Sequence, residues 1–117
     1  KKQKSHHDLA APPNPLFNTW EFVWYENNQQ IMKKAEQLPA EKYGFIFRPD
    51  GRFTEMKNSQ QCSSNGCFIY KVYEGTWDYL GDNTYHIVAP YYGGEMEFNI
   101  QIVSIKNDTL TYIIPYP

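Results

Sequence analysis

Short aromatic-rich runs alternate along the chain with residues that form tight turns. Three pairs of runs are joined in this way, namely 43–47 with 53–57, 68–79 with 85–90, and 96–105 with 110–114. The connections contain Pro49-Asp50-Gly51, Gly81-Asp82-Asn83 and Asn107-Asp108, which are typical of β-hairpins. A meander of this kind must protect its edge strands, and closure into a barrel removes the edges. The pattern predicts an all-β fold, a single up-and-down antiparallel barrel of about eight strands.

Alternation within each run predicts which side chains face the interior. The inward set of the first strand is Leu16, Trp20, Phe22 and Trp24. A three-residue loop at 49–51 pairs Phe47 with Phe53 and turns Glu55 inward with them. A three-residue loop at 81–83 opposes Tyr79 to Tyr85, whereas a two-residue loop would reverse the faces of that strand. In the last hairpin, a bulge is expected after residue 102, where the apolar positions change phase.

The segment 27–38 lacks this alternation. Ile31, Ala35 and Leu38 recur there at helix-like spacing, and Pro39 is a stop signal. Two structures fit the segment, a short helix or lid and an ordinary crossover loop. The first would be the one element of the domain that is not a strand.

Composition and charge narrow the possible partners. Aromatic residues make up 17% of the chain, and the formal net charge of -2 leaves no basic face. Nucleic acid is therefore not an expected partner. Residues 1–15 are polar and proline-rich and are predicted to be a disordered tether, followed by the barrel domain at 16–117.

Cys62 and Cys67 are separated by four loop-forming residues. This spacing allows a tight reversal that brings the two Cα atoms within disulfide range, so a disulfide is the favoured interpretation. Two free thiols are the alternative, in the case of a cytosolic protein. The spacing is not that of a metal site.

The chain offers little for catalysis. Glu55 is the one carboxylate predicted to lie inside the barrel, where it would orient a polar ligand group, although a solvent-facing or rim position is the ordinary alternative. His86 lies in the middle of a strand and is the lone histidine of the predicted barrel domain, so it is interpreted as an outward or hydrogen-bonded strand residue rather than a base or ligand. No catalytic or metal site and no cofactor is predicted.

The large rings of the predicted inward faces are candidates for a ligand cavity, and a solid aromatic core is the alternative. Together with Glu55, the proposed ligand-binding residues are Trp20, Trp24, Phe47, Phe53, Tyr73, Trp77, Tyr85 and Phe98. The loop Tyr91-Tyr92-Gly93-Gly94 would either gate the mouth of this cavity or pack its tyrosines on the rim.

Four short segments resemble the lipocalin-like domains of bacterial envelope proteins, within the wider calycin group. They are 16–20, the hairpin 47–53, Gly75-Thr76-Trp77 before the turn at 81–83, and 105–110. The resemblance covers 16–114, although Asn18-Thr19-Trp20 stands where the family usually has Gly-x-Trp. It implies an extracytoplasmic protein, either secreted, periplasmic or an outer-membrane lipoprotein whose N-terminal tether would follow a lipid anchor.

These observations favour a non-enzymatic protein that binds a small apolar or amphipathic ligand inside the barrel. The alternative is a filled barrel that acts through its surface, as a cell-envelope accessory or a protein-interaction module. In that case the 62–67 tip and the Tyr91-Tyr92 loop would supply the contacts.

Overall fold

The computed structural model describes residues 14–59 and 69–115. Within these ranges it contains eight strands and no helix. The strands are β1 (Thr19–Glu26), β2 (Gln29–Ala35), β3 (Gly44–Phe47), β4 (Arg52–Asn58), β5 (Tyr70–Gly81), β6 (Thr84–Tyr91), β7 (Gly94–Lys106) and β8 (Thr109–Ile113). Strands β3 to β8 follow one another around a closed barrel, and the β1–β2 hairpin fills the gap between β8 and β3. The predicted all-β up-and-down antiparallel barrel is confirmed.

The helix predicted in 27–38 is wrong, and so is the crossover loop considered for the same segment. Asn27 and Asn28 both have positive φ, 51° and 64°, which is the geometry of a two-residue hairpin turn. The chain therefore reverses directly into β2. Met32 of β2 pairs with Leu110 of β8 and is fully buried. The turn chemistry of the two asparagines outweighs the helix-like spacing that follows them.

Strand β1 contains an irregularity that changes the face of its second half. Its register with β2 shifts between Phe22 and Trp24, which leaves Val23 as an extra residue. Trp20 remains buried, whereas the side chain of Trp24 is 58% exposed on the outside of the barrel. The prediction that Trp24 shares the inward face of Trp20 is therefore wrong.

The strand register confirms the predicted hairpin at 49–51 and the predicted bulge in the last hairpin, but not the predicted loop at 81–83. Phe47 pairs with Phe53, and Gly51 takes the predicted left-handed conformation with φ of 95°. The β7–β8 register shifts between residues 102 and 104, where a bulge was expected.

The three-residue loop predicted at 81–83 is wrong, because β5 ends at Gly81, β6 begins at Thr84, and the turn consists of Asp82 and Asn83, both with positive φ. Tyr79 nevertheless pairs with Tyr85, since the register shifts between Tyr79 and Gly81.

A solid aromatic core fills the lower half of the barrel, the end that carries the turns at 49–51, 82–83 and 107–108. Neighbouring rings lie in contact, with centroid distances of 5.1 Å between Phe47 and Phe53 and 5.5 Å between Trp77 and Tyr85. The buried apolar residues are Leu16, Trp20, Met32, Phe45, Phe47, Phe53, Trp77, Tyr85, Ile87, Ala89, Ile100, Leu110 and Tyr112. Rings at these distances leave the lower half filled by side chains.

The chain before β1 covers this lower end. The side-chain amide of Asn14 donates a hydrogen bond to the hydroxyl of Tyr85 at 3.2 Å. The indole of Trp20 donates to the carbonyl of Leu16 at 3.0 Å. These contacts close the lower end of the barrel. They also give the Tyr85 hydroxyl and the Trp20 indole the hydrogen-bond partners that buried polar groups need.

Strand β5 passes very close to β6 at Gly75. A Cβ atom at this position would lie only 2.2 Å from the carbonyl oxygen of Val88 on β6. From Thr76 onward β5 pairs with β6, but its upper part, 70–75, pairs only with β4. The β4–β5 and β6–β7 hairpins are therefore not joined to each other at the upper end of the barrel.

Candidate functional site

A cavity of about 300 Å³ lies at the upper end, where these two hairpins face each other. We call it the upper mouth, and its lining residues are Lys57, Asn58, Ser59, Tyr91, Tyr92 and Met96. Lys57 to Ser59 lie at the end of β4, and the other three lie in the β6–β7 hairpin. The upper mouth is thus bounded by both hairpins.

The β6–β7 side of the upper mouth is apolar. Met96 pairs with the fully buried Ala89, so the two side chains share the inward face. Tyr91 and Tyr92 contact each other edge to face, with ring centroids 6.0 Å apart. Their residues are 40% and 55% exposed and Met96 is 45% exposed, so the surface is open to a bound molecule.

The β4 side carries a buried ion pair. The ammonium nitrogen Nζ of Lys57 lies 2.8 Å from Oε1 of Glu55, and the two side chains are 15% and 5% exposed. The Tyr43 hydroxyl donates a 2.6 Å hydrogen bond to Oε2 of the same carboxylate. Lys57 also lies over the ring of Tyr73, with Nζ 5.2 Å from the centroid. We call Tyr43, Glu55 and Lys57 the inner polar cluster.

Alternation along β4 places the inner polar cluster between the core and the upper mouth. Phe53, Glu55 and Lys57 are successive inward positions of this strand. The first belongs to the solid core and the last lines the upper mouth. Glu55 is therefore the deepest charged group on this path.

The surroundings of Glu55 keep the tyrosine hydroxyls neutral. Burial raises the pKa of Tyr43 well above its ordinary value, and electrostatic interactions with the Tyr112 and Glu55 side chains add to the shift. Burial and the Glu55 charge raise the pKa of Tyr112 as well. Tyr43 therefore remains a hydrogen-bond donor throughout the physiological range. Within the described residues, Oε1 of Glu55 has the Lys57 ion pair but no hydrogen bond of favourable angle.

A larger cleft of about 680 Å³ lies between the β1–β2 hairpin, the end of β8 and the segment 97–99 of β7. On its wall, Nδ1 of His86 lies 2.7 Å from Oδ1 of Asn99, and Nε2 lies 3.0 Å from Oε1 of Glu97. The Asn99 contact, followed by Glu97, raises the pKa of His86 above its ordinary value. Because both ring nitrogens are engaged, this imidazole serves to tie β6 to β7 rather than to act as a base.

A model of the lipocalin-like domain family matches residues 16–112 of the chain. The chain belongs to the lipocalin-like domain family. Searches of the curated proteins and of the solved structures gave no match. Membership of this family is consistent with the observed barrel and with a general capacity for small-ligand binding. It does not identify the binding residues of this lipocalin-like domain.

None of the predicted ligand-binding residues of this lipocalin-like domain lines the upper mouth itself, although two of them contact its residue Lys57. Glu55 lies in the inner polar cluster, and the ring of Tyr73 lies against Lys57. Phe98 is partly buried against the core and also lines the larger cleft. Trp24 lies outside the barrel. The remaining predicted residues pack together in the core, and they are Trp20, Phe47, Phe53, Trp77 and Tyr85.

Five residues of the upper mouth and the inner polar cluster were missed as site residues, and they are Tyr43, Lys57, Asn58, Ser59 and Met96. Tyr43 and Lys57 share the inward face of Glu55, and this alternation is visible in the sequence once the β3–β4 register is known. Met96 is found only through its pairing with Ala89 across the β6–β7 hairpin. Tyr91 and Tyr92, which the sequence singles out as a loop, do line the cavity.

The described residues contain neither a cluster of metal ligands nor a membrane-spanning helix. No group of three or more His, Cys, Asp or Glu side chains is placed to hold a metal ion in those ranges. None of the described segments forms a helix long and apolar enough to cross a membrane. Cys62 and Cys67 lie outside the described residues, so their pairing stays a prediction.

Proposed function

We propose that this lipocalin-like domain binds a small amphipathic molecule at the upper mouth and performs no chemistry on it. The observation that carries the proposal is the arrangement of the upper mouth, which has an apolar wall at Tyr91, Tyr92 and Met96 and a buried ion pair at its inner side. Ligand sites in proteins combine apolar walls with a few fixed polar groups in this way.

The packing of the core favours the upper mouth over the barrel axis as the binding site. Phe45 lies in the middle of the barrel, with ring centroids 5.2 Å from Phe53 and 5.8 Å from Tyr112. A ligand on the axis would have to displace these rings, at a cost comparable to opening a core cavity. The volume of the upper mouth, about 300 Å³, lies at the lower end of the range for small-molecule pockets.

The proposal includes an extracytoplasmic location. Its supports are the resemblance to envelope proteins and the spacing of Cys62 and Cys67, which suits an oxidising compartment. Any contact with a membrane would then come from a lipid anchor on the N-terminal side.

Binding of the neutral dye Nile red tests the site. We expect the protein to enhance the dye fluorescence, and Tyr91→Ala and Met96→Ala to weaken dye binding at least about fivefold by removing buried apolar contacts. Val103→Ala is the matched control, since Val103 is an exposed apolar residue away from the upper mouth. Absence of dye binding, or equal affinity of all three variants, would contradict the proposal. Native mass spectrometry of the protein from its own host would identify a co-purifying molecule.

The alternative function, a protein-interaction module, is favoured by the same exposed rings. Tyr91 and Tyr92 stand at a hairpin tip, and tyrosine is enriched at protein interfaces. This function predicts that Tyr91→Ala abolishes capture of a partner protein while leaving Nile red binding unchanged.

A further inference from the structure

We infer that the upper mouth selects amphiphiles with a positively charged nitrogen head group, a primary or quaternary ammonium, which replaces the Lys57 ammonium beside Glu55. The inference rests on the proposed function, because it specifies the ligand of that same site. It follows from what Lys57 contacts, from which member of the ion pair is fixed, and from the charge that each kind of ligand would leave behind.

The Lys57 ammonium occupies a ready-made cation site. It lies 2.8 Å from Oε1 of Glu55 and 5.2 Å from the centroid of the Tyr73 ring. A carboxylate together with an aromatic face is the combination that recognises ammonium groups in proteins. The side chain of Lys57 therefore stands where the head group of an external ammonium would bind.

Of the two charged partners, Glu55 is fixed and Lys57 is free to leave. Glu55 is 5% exposed and is held by the 2.6 Å hydrogen bond from Tyr43. Lys57 has a long flexible stem that already lines the upper mouth. Such a side chain can turn outward and place its charge in water while the stem still covers apolar surface.

The buried charge then decides which ligand head is accepted. An incoming ammonium takes over the contact with Glu55, so the buried carboxylate stays paired. An anionic head group would draw Lys57 away and leave Glu55 buried beside a second negative charge, which is strongly unfavourable. A neutral head group would leave the ion pair in place and use only the apolar wall.

One nearby positive charge opposes this preference for a cationic head group. Lys71 faces Lys57 across the β4–β5 pair, so the rim carries two positive charges. Lys71 is exposed, and salt screens the electrostatic interactions of an exposed charge more strongly than those of a buried one. The buried carboxylate is not screened to the same extent, so we expect its preference to dominate.

A panel of probes with one alkyl chain tests the inference. Octylammonium, octyltrimethylammonium, octanol and octanoate are titrated against the protein below their micelle concentrations, with bound Nile red as the displaced reporter. We expect octylammonium to bind at least about tenfold more tightly than octanoate, with octanol between them. This ranking is measured on the unmodified protein and does not depend on any variant folding.

Two substitutions then separate the roles of the ion pair. Lys57→Met removes the internal competitor but keeps an apolar stem, so octylammonium affinity should rise about tenfold while octanol affinity stays within about twofold. Glu55→Gln should remove the preference for ammonium over octanol. The matched controls are Lys33→Met and Glu21→Gln, which break a 3.4 Å ion pair on the outer wall and should change no affinity.

The outcomes distinguish the inference from the proposed function. If octanoate binds as tightly as octylammonium or more tightly, the inference is overturned and the proposed function stands. If none of the four probes displaces the dye and none binds directly, the proposed function fails and the inference fails with it. An unchanged octylammonium affinity in Lys57→Met also overturns the inference.

Discussion

Replacement of Gly75 by alanine should destabilise the barrel because the added methyl group meets backbone rather than side chain. The new Cβ would lie 2.2 Å from the carbonyl oxygen of Val88 and 3.1 Å from Cα of Ala89. Both atoms belong to β6, which is fixed between its neighbours in the sheet. The clash cannot be relieved by rotating a side chain, so one of the two strands has to move.

The size of the effect follows from that distance. A close carbon-to-oxygen contact in a sheet is about 3.3 Å, so the strands must separate by about 1 Å. Forced shifts of this kind cost about 1–3 kcal/mol, and a weakened ladder hydrogen bond adds about 1 kcal/mol. Restriction of the unfolded chain by alanine offsets about 0.4–1 kcal/mol. We therefore expect Gly75→Ala to lower the free energy of unfolding by about 1–3.5 kcal/mol, a large share of the stability of a small domain.

Urea unfolding of the unmodified protein, Gly75→Ala and Gly93→Ala measures this effect. Gly93→Ala is the matched control, because its Cβ would lie 2.8 Å from the ring of Tyr91, a side chain that is 40% exposed and can turn away. We expect the control to stay within about 0.5 kcal/mol of the unmodified protein. A Gly75→Ala protein within that same margin would refute the account of the close approach of β5 to β6 at Gly75.

Three further substitutions test separate parts of the structure. Tyr43→Phe removes the donor to buried Glu55 and should lower the free energy of unfolding by about 1.5–3 kcal/mol, and an unchanged urea midpoint would contradict the inner polar cluster. His86 has a folded pKa above its unfolded value, so it stabilises the fold below about pH 6.5 and this contribution is lost as pH rises through the folded pKa. An NMR titration should find the His86 pKa raised, and lowered again by Glu97→Gln; a pKa at or below the ordinary value would contradict the contacts described. Trp24→Phe should change stability by less than about 0.5 kcal/mol and shift the remaining emission to shorter wavelength, because the other two tryptophans are buried; a red-shifted remainder would be inconsistent with that burial.

The sequence predicts the parts of this fold that depend on local turn chemistry. Gly51 supplies a left-handed residue after Pro49-Asp50, and the register of Phe47 with Phe53 follows from that one turn. The Asn27 turn carries an equally local signal, but apolar residues at helix-like spacing directly after it suggested a helix. In a segment this short, the conformational preferences of turn residues determine the structure more strongly than the spacing of apolar residues does.

The features that the sequence could not provide depend on contacts between distant strands. The bulge at Val23, which turns Trp24 outward, is a property of the β1–β2 pairing and leaves no mark on β1 alone. Whether the barrel is filled depends on how the rings meet, as between Phe45 and Tyr112. Because the rings fill the core, the candidate site lies at the upper mouth rather than on the barrel axis.

The three methionines offer the most direct test of binding at the upper mouth. Met96 lines the upper mouth, Met32 is fully buried in the core, and Met56 is on the opposite face of β4 from Glu55. In a spectrum of ¹³C-methyl-labelled methionine, saturating octylammonium should shift the Met96 signal and leave Met56 in place. Binding that shifts Met32 or Met56 without Met96 would contradict the account, since the ligand would then lie in the core or on the outer wall.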